Sequence, residues 1–254
     1  MTRFFDTHAH YDSGKFNADR DEVLRAVHDS GVALVVDPGD SGVTSERAVA
    51  LAQAHDFVYA AVGWHPEEAD SWTDSSLAHI RTLAAQPKVC AIGEIGLDYY
   101  WDASTKVKQE RMFRAQLELA LELDLPVIVH DREAHGDSLR IVCDYPQLRG
   151  VFHCYSGSVE MARELLRRGW YLGFDGPITY KNAAKAPEVI AACPVERILL
   201  ETDSPYLAPV PNRGKRNDSR NLPLIAARVA EIKGMTIDQV AEVTLQNGKK
   251  LFDL

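Results

Sequence analysis

Short apolar segments alternate with helix-like segments along the whole chain, and this alternation restricts the possible folds more than any other sequence feature. Each apolar segment contains few polar residues, as is typical of strands that are covered on both faces. The intervening segments carry apolar residues at helical spacing, for example Phe113, Leu117 and Leu121. Eight strands are predicted: the first leads into His8, and the others cover residues 32–36, 58–62, 88–93, 126–129, 150–152, 170–173 and 197–200.

Strict alternation of strands and helices requires parallel strands joined by helical crossovers. Eight such units close naturally into a (β/α)8 TIM barrel, and 254 residues suit a single barrel domain that covers residues 1–254. A doubly wound open sheet is the rival arrangement, but it needs no fixed count of eight. The barrel is favoured because residues with metal-binding side chains follow several strands, and such barrels carry their active sites at the carboxyl ends of the strands.

The side chains at these strand ends predict a metal centre. His8 and His10 follow the first strand, and residues two apart in a strand point to the same side. Further candidate ligands end later apolar segments, at Glu94, His130, His153 and Asp203. Six ligands exceed the four that one tetrahedral zinc usually takes, and they suit two divalent cations that share a carboxylate. The alternative is that these residues are polar only because loops begin there, with no role in metal binding.

Within this set Glu94 is the predicted bridge, because strand four lies across the barrel from strand one. We expect His8 and His10 to hold one metal, His130 and His153 the other, and Asp203 the first metal or the shared water.

Two further residues have an expected role beside these ligands. Glu201 precedes Asp203 on the same strand end and is expected to bind a metal weakly or to orient a ligand. His65 follows the third strand, where a role in orienting a ligand, in binding an additional metal or in contacting substrate competes with a plain structural one. The remaining histidines, His28, His55, His79 and His135, fall on predicted helices or their ends; the first three are interpreted as surface or packing residues.

Bulk properties exclude some classes of protein. The net charge of −9 argues against an unspecific nucleic-acid coat protein, which would be basic, although it permits an enzyme with a locally positive groove. The four cysteines form no Cys-x-x-Cys pair, which is typical of reduced thiols in a cytosolic protein. The chain enters its first strand directly after Met-Thr-Arg and has no apolar run of about 18 residues. We therefore expect a cytoplasmic protein without a signal peptide, a membrane association or an obligate protein partner.

The motifs at the strand ends resemble those of the TatD family of metal-dependent hydrolases, a branch of the amidohydrolase-like barrels. The resemblance spans the chain in order and rests on Thr7-His8-Ala9-His10, Gly63-Trp64-His65-Pro66, Ile92 to Tyr100, Pro126 to His130, Phe152 to Gly157, Leu200 to Pro205 and Asn212 to Asn217. Two departures are visible: Tyr11 stands where a leucine is more usual, and Asp218-Ser219 stands where Glu-Pro is common. Neither departure falls on a candidate ligand.

The resemblance implies a function and a cofactor. TatD-like enzymes are known as metal-dependent deoxyribonucleases, often 3′→5′ exonucleases on single-stranded DNA, and the implied metals are Mg²⁺, Mn²⁺ or Zn²⁺. The family's ligand positions fall on the same six residues that the strand ends select. Hydrolysis of a phosphodiester would then use a water activated by two metals. Asp203 would accept or direct the proton, and Glu94 would act as the bridging carboxylate.

A DNA substrate requires positive charge and base-binding groups near the metals. Candidate phosphate contacts near strand ends are Arg132, Lys181, Arg213, Lys215 and Arg216, the last three in the loop after strand eight, where barrels often bind phosphate. Aromatic residues after strand ends, available to stack on unpaired bases or to pack the walls, are Tyr11, Trp64, Tyr99, Trp101 and Tyr155.

Two other functions remain open at this point. One is a two-metal barrel hydrolase of small esters, lactones or amides; such relatives often bridge their metals with a modified lysine, whereas this chain carries Glu94. The other is a scaffold that has lost catalysis, against which the intact set of ligands argues.

Overall fold

The computed structural model describes residues 2–254, and its eight strands form one parallel sheet in the order β1 to β8. The strands are β1 (Phe4–Asp6), β2 (Val32–Pro38), β3 (Val58–Val62), β4 (Val89–Asp98), β5 (Val127–Arg132), β6 (Gly150–Phe152), β7 (Tyr171–Phe174) and β8 (Ile198–Leu200). Backbone hydrogen bonds then join the two ends of this sheet. Thr7 N donates to Leu200 O at 3.1 Å and Asp203 N donates to His8 O at 2.9 Å. The predicted (β/α)8 barrel is confirmed.

Helices connect the strands and cover the outside of the barrel. They are α1 (Arg20–Asp29), α2 (Gly42–Ala54), α3 (Asp74–Ala84), α4 (Lys106–Leu123), α5 (His135–Cys143), α6 (Val159–Arg167), α7 (Ala186–Ala192), α8 (Leu222–Lys233) and α9 (Ile237–Phe252). None of the helices within residues 2–254 combines the length and the apolar character that crossing a membrane would need.

Three strands run further than their sequence pattern predicts. The predicted end of the second strand at residue 36 is wrong, since Asp37 and Pro38 belong to β2 and pair with β3. The expectation that Glu94 and His130 end their strands is also wrong. Beyond a register shift between Ile92 and Ile95, β4 continues to Asp98 beside β5. Helix α9 continues to Phe252, and its buried face includes Leu251 and Phe252.

The apolar core has two parts. The larger cluster lies between the strands and the surrounding helices. The smaller one takes residues from all eight strands and, among the helices, only from α9, which places it inside the barrel. Phe5 of β1 and Phe252 of α9 pack there with ring centroids 6.0 Å apart. Gly248 of α9 lies against the same phenyl ring, because a Cβ at this position would be 2.5 Å from Phe5 Cδ1.

Candidate metal centre

Glu94 lies at the centre of a cluster of imidazoles near the carboxyl ends of the strands, and its two oxygens face different pairs of histidines. Its Oε1 lies 2.8 Å from His130 Nδ1 and 2.7 Å from His153 Nε2. Its Oε2 lies 3.3 Å from His8 Nε2 and 3.6 Å from His10 Nε2. The carboxylate is therefore placed between two separate pairs of nitrogen donors.

Asp203 approaches the first of these pairs from the loop after β8. Its Oδ1 lies 3.5 Å from His10 Nε2 and 3.8 Å from His8 Nε2. The residue has a left-handed backbone with φ of 53°, an unusual conformation for a residue with a Cβ. Its N–H donates to His8 O, and its carbonyl accepts from Tyr206 N at 2.8 Å. These two bonds hold the turn that directs the carboxylate to the histidines.

The outer nitrogens of three imidazoles face hydrogen-bond acceptors. His10 Nδ1 donates to Pro38 O at 3.1 Å, and His130 Nε2 donates to Asp98 Oδ2 at 3.0 Å. His153 Nδ1 faces Glu201 Oε1 at 3.6 Å. A neutral imidazole carries one proton, so a donor on the outside leaves a lone pair on the inner nitrogen. Oriented imidazoles of this kind are typical of metal sites.

The inner nitrogens crowd one another, which tests whether cations fit the cluster. His8 Nε2 and His10 Nε2 are 3.1 Å apart, and His130 Nδ1 and His153 Nε2 are 3.2 Å apart. Two lone pairs at such distances repel unless a cation or a proton lies between them. Nitrogen and carboxylate donors in one buried cluster suit divalent metals, so these residues fit the group.

The charges in the cluster agree with this interpretation. Burial opposes protonation of His10, but Asp203 and Glu94 outweigh it and raise its pKa to about 10. Burial likewise disfavours the charged form of Glu94, yet His153 and His8 lower its pKa well below the ordinary value. The carboxylates therefore attract positive charge strongly enough to overcome burial. Three groups of side chains have donor atoms close enough to share one ion: His8, Glu94 and His153; His8, His10 and Asp203; and His65, Glu94 and His130.

Comparison with known proteins gives this cluster a family. The family model described as TatD related DNase matches residues 5–253. The chain belongs to the TatD family of metal-dependent hydrolases. It is 43% identical over 250 residues to a Bacillus subtilis protein named as the uncharacterized metal-dependent hydrolase YabD, with 98% of each chain covered. A Cronobacter sakazakii protein named 3′-5′ ssDNA/RNA exonuclease TatD is 37% identical over 256 residues, with 98% of this chain and 97% of that protein covered.

A solved structure agrees with the sequence relatives. The TatD homologue YjjV from Escherichia coli superposes with a TM-score of 0.94 at 33% identity, covering 100% of this chain and 99% of that one. Membership in the TatD family makes this chain a metal-dependent hydrolase that acts on ester bonds.

His65 has a hydrogen bond that distinguishes it from the other histidines of this TatD centre. Its Nδ1 accepts from the N–H of Glu67 at 3.2 Å. In the neutral ring the proton then resides on Nε2, which faces Glu94 Oε1 at 3.5 Å. His65 therefore presents a donor to the centre, whereas the inner nitrogens of His10 and His130 present lone pairs.

Glu201 lies behind His153, on the side away from Glu94. The residue is fully buried, and its Oε1 accepts from Cys154 N at 2.5 Å. A Cβ on Gly173 would overlap its carboxylate, so the glycine makes room for this charge. The arrangement places Glu201 against the outer nitrogen of His153, where it can orient the ring.

Two buried carboxylates of the TatD site, Asp98 and Asp6, were not predicted from the sequence. Asp98 holds His130 from outside, four residues after Glu94 in a strand whose full length was not predicted. Asp6 accepts from Thr202 N at 2.9 Å and from Thr202 Oγ1 at 2.6 Å. Burial raises the pKa of Asp6 to about 7, against the effect of its hydrogen bonds. For Asp6 the available signal was a carboxylate two residues before His8, inside an apolar strand.

An open cavity of about 850 Å³ lies above the centre, and the predicted phosphate-binding cations differ in their position relative to it. Arg132, the last residue of β5, lines the cavity; the other four do not. Arg216 forms a bidentate ion pair with Asp19, and Arg213 lies over the Tyr180 ring at 4.4 Å. Lys181 and Lys215 are exposed side chains away from the cavity wall.

Proposed function

We propose that this TatD-family hydrolase is a two-metal phosphodiesterase that removes nucleotides from the 3′ end of single-stranded DNA. The observation that carries the proposal is the position of Glu94, each of whose oxygens faces its own pair of imidazoles. A relative at 37% identity is named as a 3′-5′ exonuclease on single-stranded DNA and RNA, which supports the substrate class. The proposal assigns the activity to one barrel domain covering residues 1–254.

The ligands divide between two sites that share one carboxylate. His8 and His10 would hold one cation together with Asp203. His130 and His153 would hold the other, with Glu94 shared between the two. When bound, two divalent cations, Mg²⁺, Mn²⁺ or Zn²⁺, would lower the pKa of a water molecule and stabilise charge on the phosphoryl oxygens.

Asp203 is the proposed proton acceptor. Burial alone would raise its pKa, but the hydrogen bond and charge of His10 lower it below the ordinary value, so the carboxylate is ionised. Its Oδ1 faces the inner nitrogens of His8 and His10, on the side of the centre. From there Asp203 Oδ1 can take the proton of the attacking water.

The surroundings of the centre supply the other functions of a phosphodiesterase. The guanidinium of Arg132 lines the cavity and is available to a phosphate oxygen. The Nε2–H of His65 is a second donor that faces the centre. Glu201 and Asp98 keep the rings of His153 and His130 in their orientation.

The test combines metal analysis with a panel of substrates. We expect about two metal ions per chain and stepwise shortening of a 5′-labelled single-stranded oligonucleotide from its 3′ end. The Asp203→Asn variant should keep its fold and bind the oligonucleotide but lose most turnover, on the order of 100-fold or more for a lost general base. A panel of esters, lactones and amides addresses the competing function. Hydrolysis of those compounds with DNA left intact in Mg²⁺, Mn²⁺ and Zn²⁺ would overturn the nuclease assignment.

A further inference from the structure

Exposed aromatic rings lie at the mouth of the cavity on two sides. The side chain of Trp101 is 64% exposed and that of Tyr206 is 46% exposed, and both line the cavity. Tyr100, beside Trp101, is 54% exposed. Exposing large rings to water has a free-energy cost that single surface residues tolerate, but a group of them at a cavity mouth points to a ligand.

The other aromatic residues that follow strand ends are occupied in the wall. Tyr11 is fully buried, and its hydroxyl bonds to Ser219 Oγ at 2.7 Å. Tyr155 is buried as well, and its hydroxyl donates to Ser158 O. The Trp64 indole N–H donates to Glu68 O. The Tyr99 hydroxyl donates to Asp137 Oδ2, and Lys106 lies over its ring. All of these rings have structural contacts, so Trp101 is the member of the predicted set that presents an open face.

Each exposed ring has a cation over one of its faces. The Arg132 guanidinium lies 3.9 Å from the Tyr100 ring centroid and 5.4 Å from that of Trp101. On the other side, Lys15 Nζ lies 4.0 Å from the Tyr206 ring centroid. Neither cation forms a side-chain ion pair within residues 2–254. A planar ring next to an unpaired cation matches a nucleotide, which has a flat base beside a phosphate.

The two ring–cation groups stand on opposite sides of the metal centre. Trp101 follows β4, the strand that carries Glu94. Arg132 is the last residue of β5, the strand that carries His130. On the other side, Tyr206 follows β8 and the nearby Asp203, and Lys15 follows β1 and the nearby His10. In an eight-stranded closed sheet these strand pairs face each other across the barrel. A chain bound over the centre would meet one group on each side.

We propose that Trp101, with Tyr100 and Arg132, and Tyr206, with Lys15, form two stacking positions for unpaired nucleobases on either side of the phosphodiester to be cleaved. The inference rests on the proposed nuclease function and deepens it, because it gives a physical reason for selecting single strands. In a duplex both faces of an internal base are covered by its neighbours, so the base cannot stack on a protein ring. An unpaired strand offers those faces freely.

The test measures binding with cleavage suppressed. Variants Trp101→Ala, Trp101→Phe and Tyr206→Ala are made in the Asp203→Asn background, with Val107→Ala as a control because Val107 is 84% exposed on α4. Fluorescence anisotropy in Mg²⁺ follows a 5′-fluorescein oligothymidylate, and a gel confirms that it stays intact. A second probe carries abasic residues at its two 3′-terminal positions.

Base stacking on an aromatic side chain contributes about 1–3 kcal/mol, so each alanine variant should raise Kd for the intact oligonucleotide roughly 5- to 100-fold. Trp101→Phe should recover most of the affinity, and Val107→Ala should bind as its parent does. On the abasic probe the alanine variants and their parent should bind equally.

Three results would overturn the inference. One is an unchanged Kd in both alanine variants; a second is an equal loss on the intact and abasic probes. The third is a change in the oligomeric state of the variants with oligonucleotide binding preserved, which would make the rings a subunit contact. If the wild type still cleaves single-stranded DNA in these cases, the proposed function stands without the stacking positions. If neither the wild type nor the Asp203→Asn parent of the alanine variants binds an oligonucleotide, the proposed function and the stacking positions are both refuted.

Discussion

The orientation of individual imidazoles distinguishes the proposed metal ligands from a hydrogen-bond donor, which composition alone does not. His10 and His130 each use one nitrogen on an acceptor outside the centre, so the other nitrogen faces inward as a lone pair. His65 does the reverse, because Glu67 N–H occupies its Nδ1. All three residues follow or end apolar segments and look alike in the sequence. Their different chemistry comes from single hydrogen bonds to neighbours.

This difference predicts distinct effects of removing a histidine. His65→Ala should retain the metal content of the wild type and lower turnover by roughly 100-fold, the typical loss for one donor at a developing charge. His153→Ala should lose metal as well as turnover, because an inner nitrogen is removed. Plasma emission analysis of the dialysed proteins, with initial rates on an oligonucleotide, separates the two. A loss of metal from His65→Ala would identify His65 as a ligand.

At this scale the sequence predicts which residues lie close together but not which role each side chain has. His8, His10, Glu94, His130, His153 and Asp203 were expected in one place because the carboxyl ends of barrel strands meet at one mouth. The contact of Asp98 with this cluster was not predicted, because strand β4 was expected to stop at residue 93. Its contact with His130 depends on the pairing of Asp98 with Arg132 in the neighbouring strand.

At the scale of elements, the helix that follows the last strand shapes the barrel interior as much as the strands do. Helix α9 is the only helix that contributes to the inner apolar cluster within residues 2–254. Gly248 permits its close approach to Phe5. The alternation of strands and helices predicts a helix after the last strand but not its packing against β1, since that contact joins residues more than 200 positions apart. Packing of this kind has no local signature.

Two glycines in helices should therefore respond to alanine with opposite signs. Gly248→Ala places a Cβ against the buried Phe5 ring and should destabilise the protein by about 1–3 kcal/mol through overpacking. Gly136 in α5 has open space around its would-be Cβ, so Gly136→Ala should stabilise by about 0.4–1 kcal/mol. Thermal unfolding should show the first variant below the wild type and the second above it. A higher melting temperature for Gly248→Ala would refute the close packing of α9.

At the scale of the whole molecule, the chain is acidic overall, and several of its carboxylates are buried at the centre. The net charge of −9 excludes a generally basic nucleic-acid binder, and the buried carboxylates of the site raise the pKa of His10 to about 10. Divalent cations would supply the missing positive charge. The basic loop at residues 212–217 was predicted from sequence to contact phosphate, yet Arg216 pairs with Asp19 instead of facing the cavity. Pairings between distant loops cannot be deduced from local charge.

Removal of metal should consequently change the stability of the entire protein. A cation at about 100 times its Kd adds about 2.7 kcal/mol to folding, since it binds the folded state alone. For a chain of this size each kcal/mol shifts Tm by roughly 2–4 °C, so Mn²⁺ or Zn²⁺ should raise Tm by about 5–10 °C over the chelated protein. Differential scanning fluorimetry checks this. Glu94→Gln should lose most of the shift, while Glu160→Gln, an exposed control on α6, should keep it.

The hydrogen bonds that join β1 to the end of β8 have a consequence for synthesis of the protein. His8 and His10 leave the ribosome before the rest of the centre, and Asp203 follows 193 positions after His10. Thr7 finds its backbone partner at Leu200 and His8 at Asp203, so the first strand has no closing neighbour until β8 has been made. A nascent chain that lacks β8 therefore cannot gather these residues, and the cluster is complete only in a protein whose first and last strands have met.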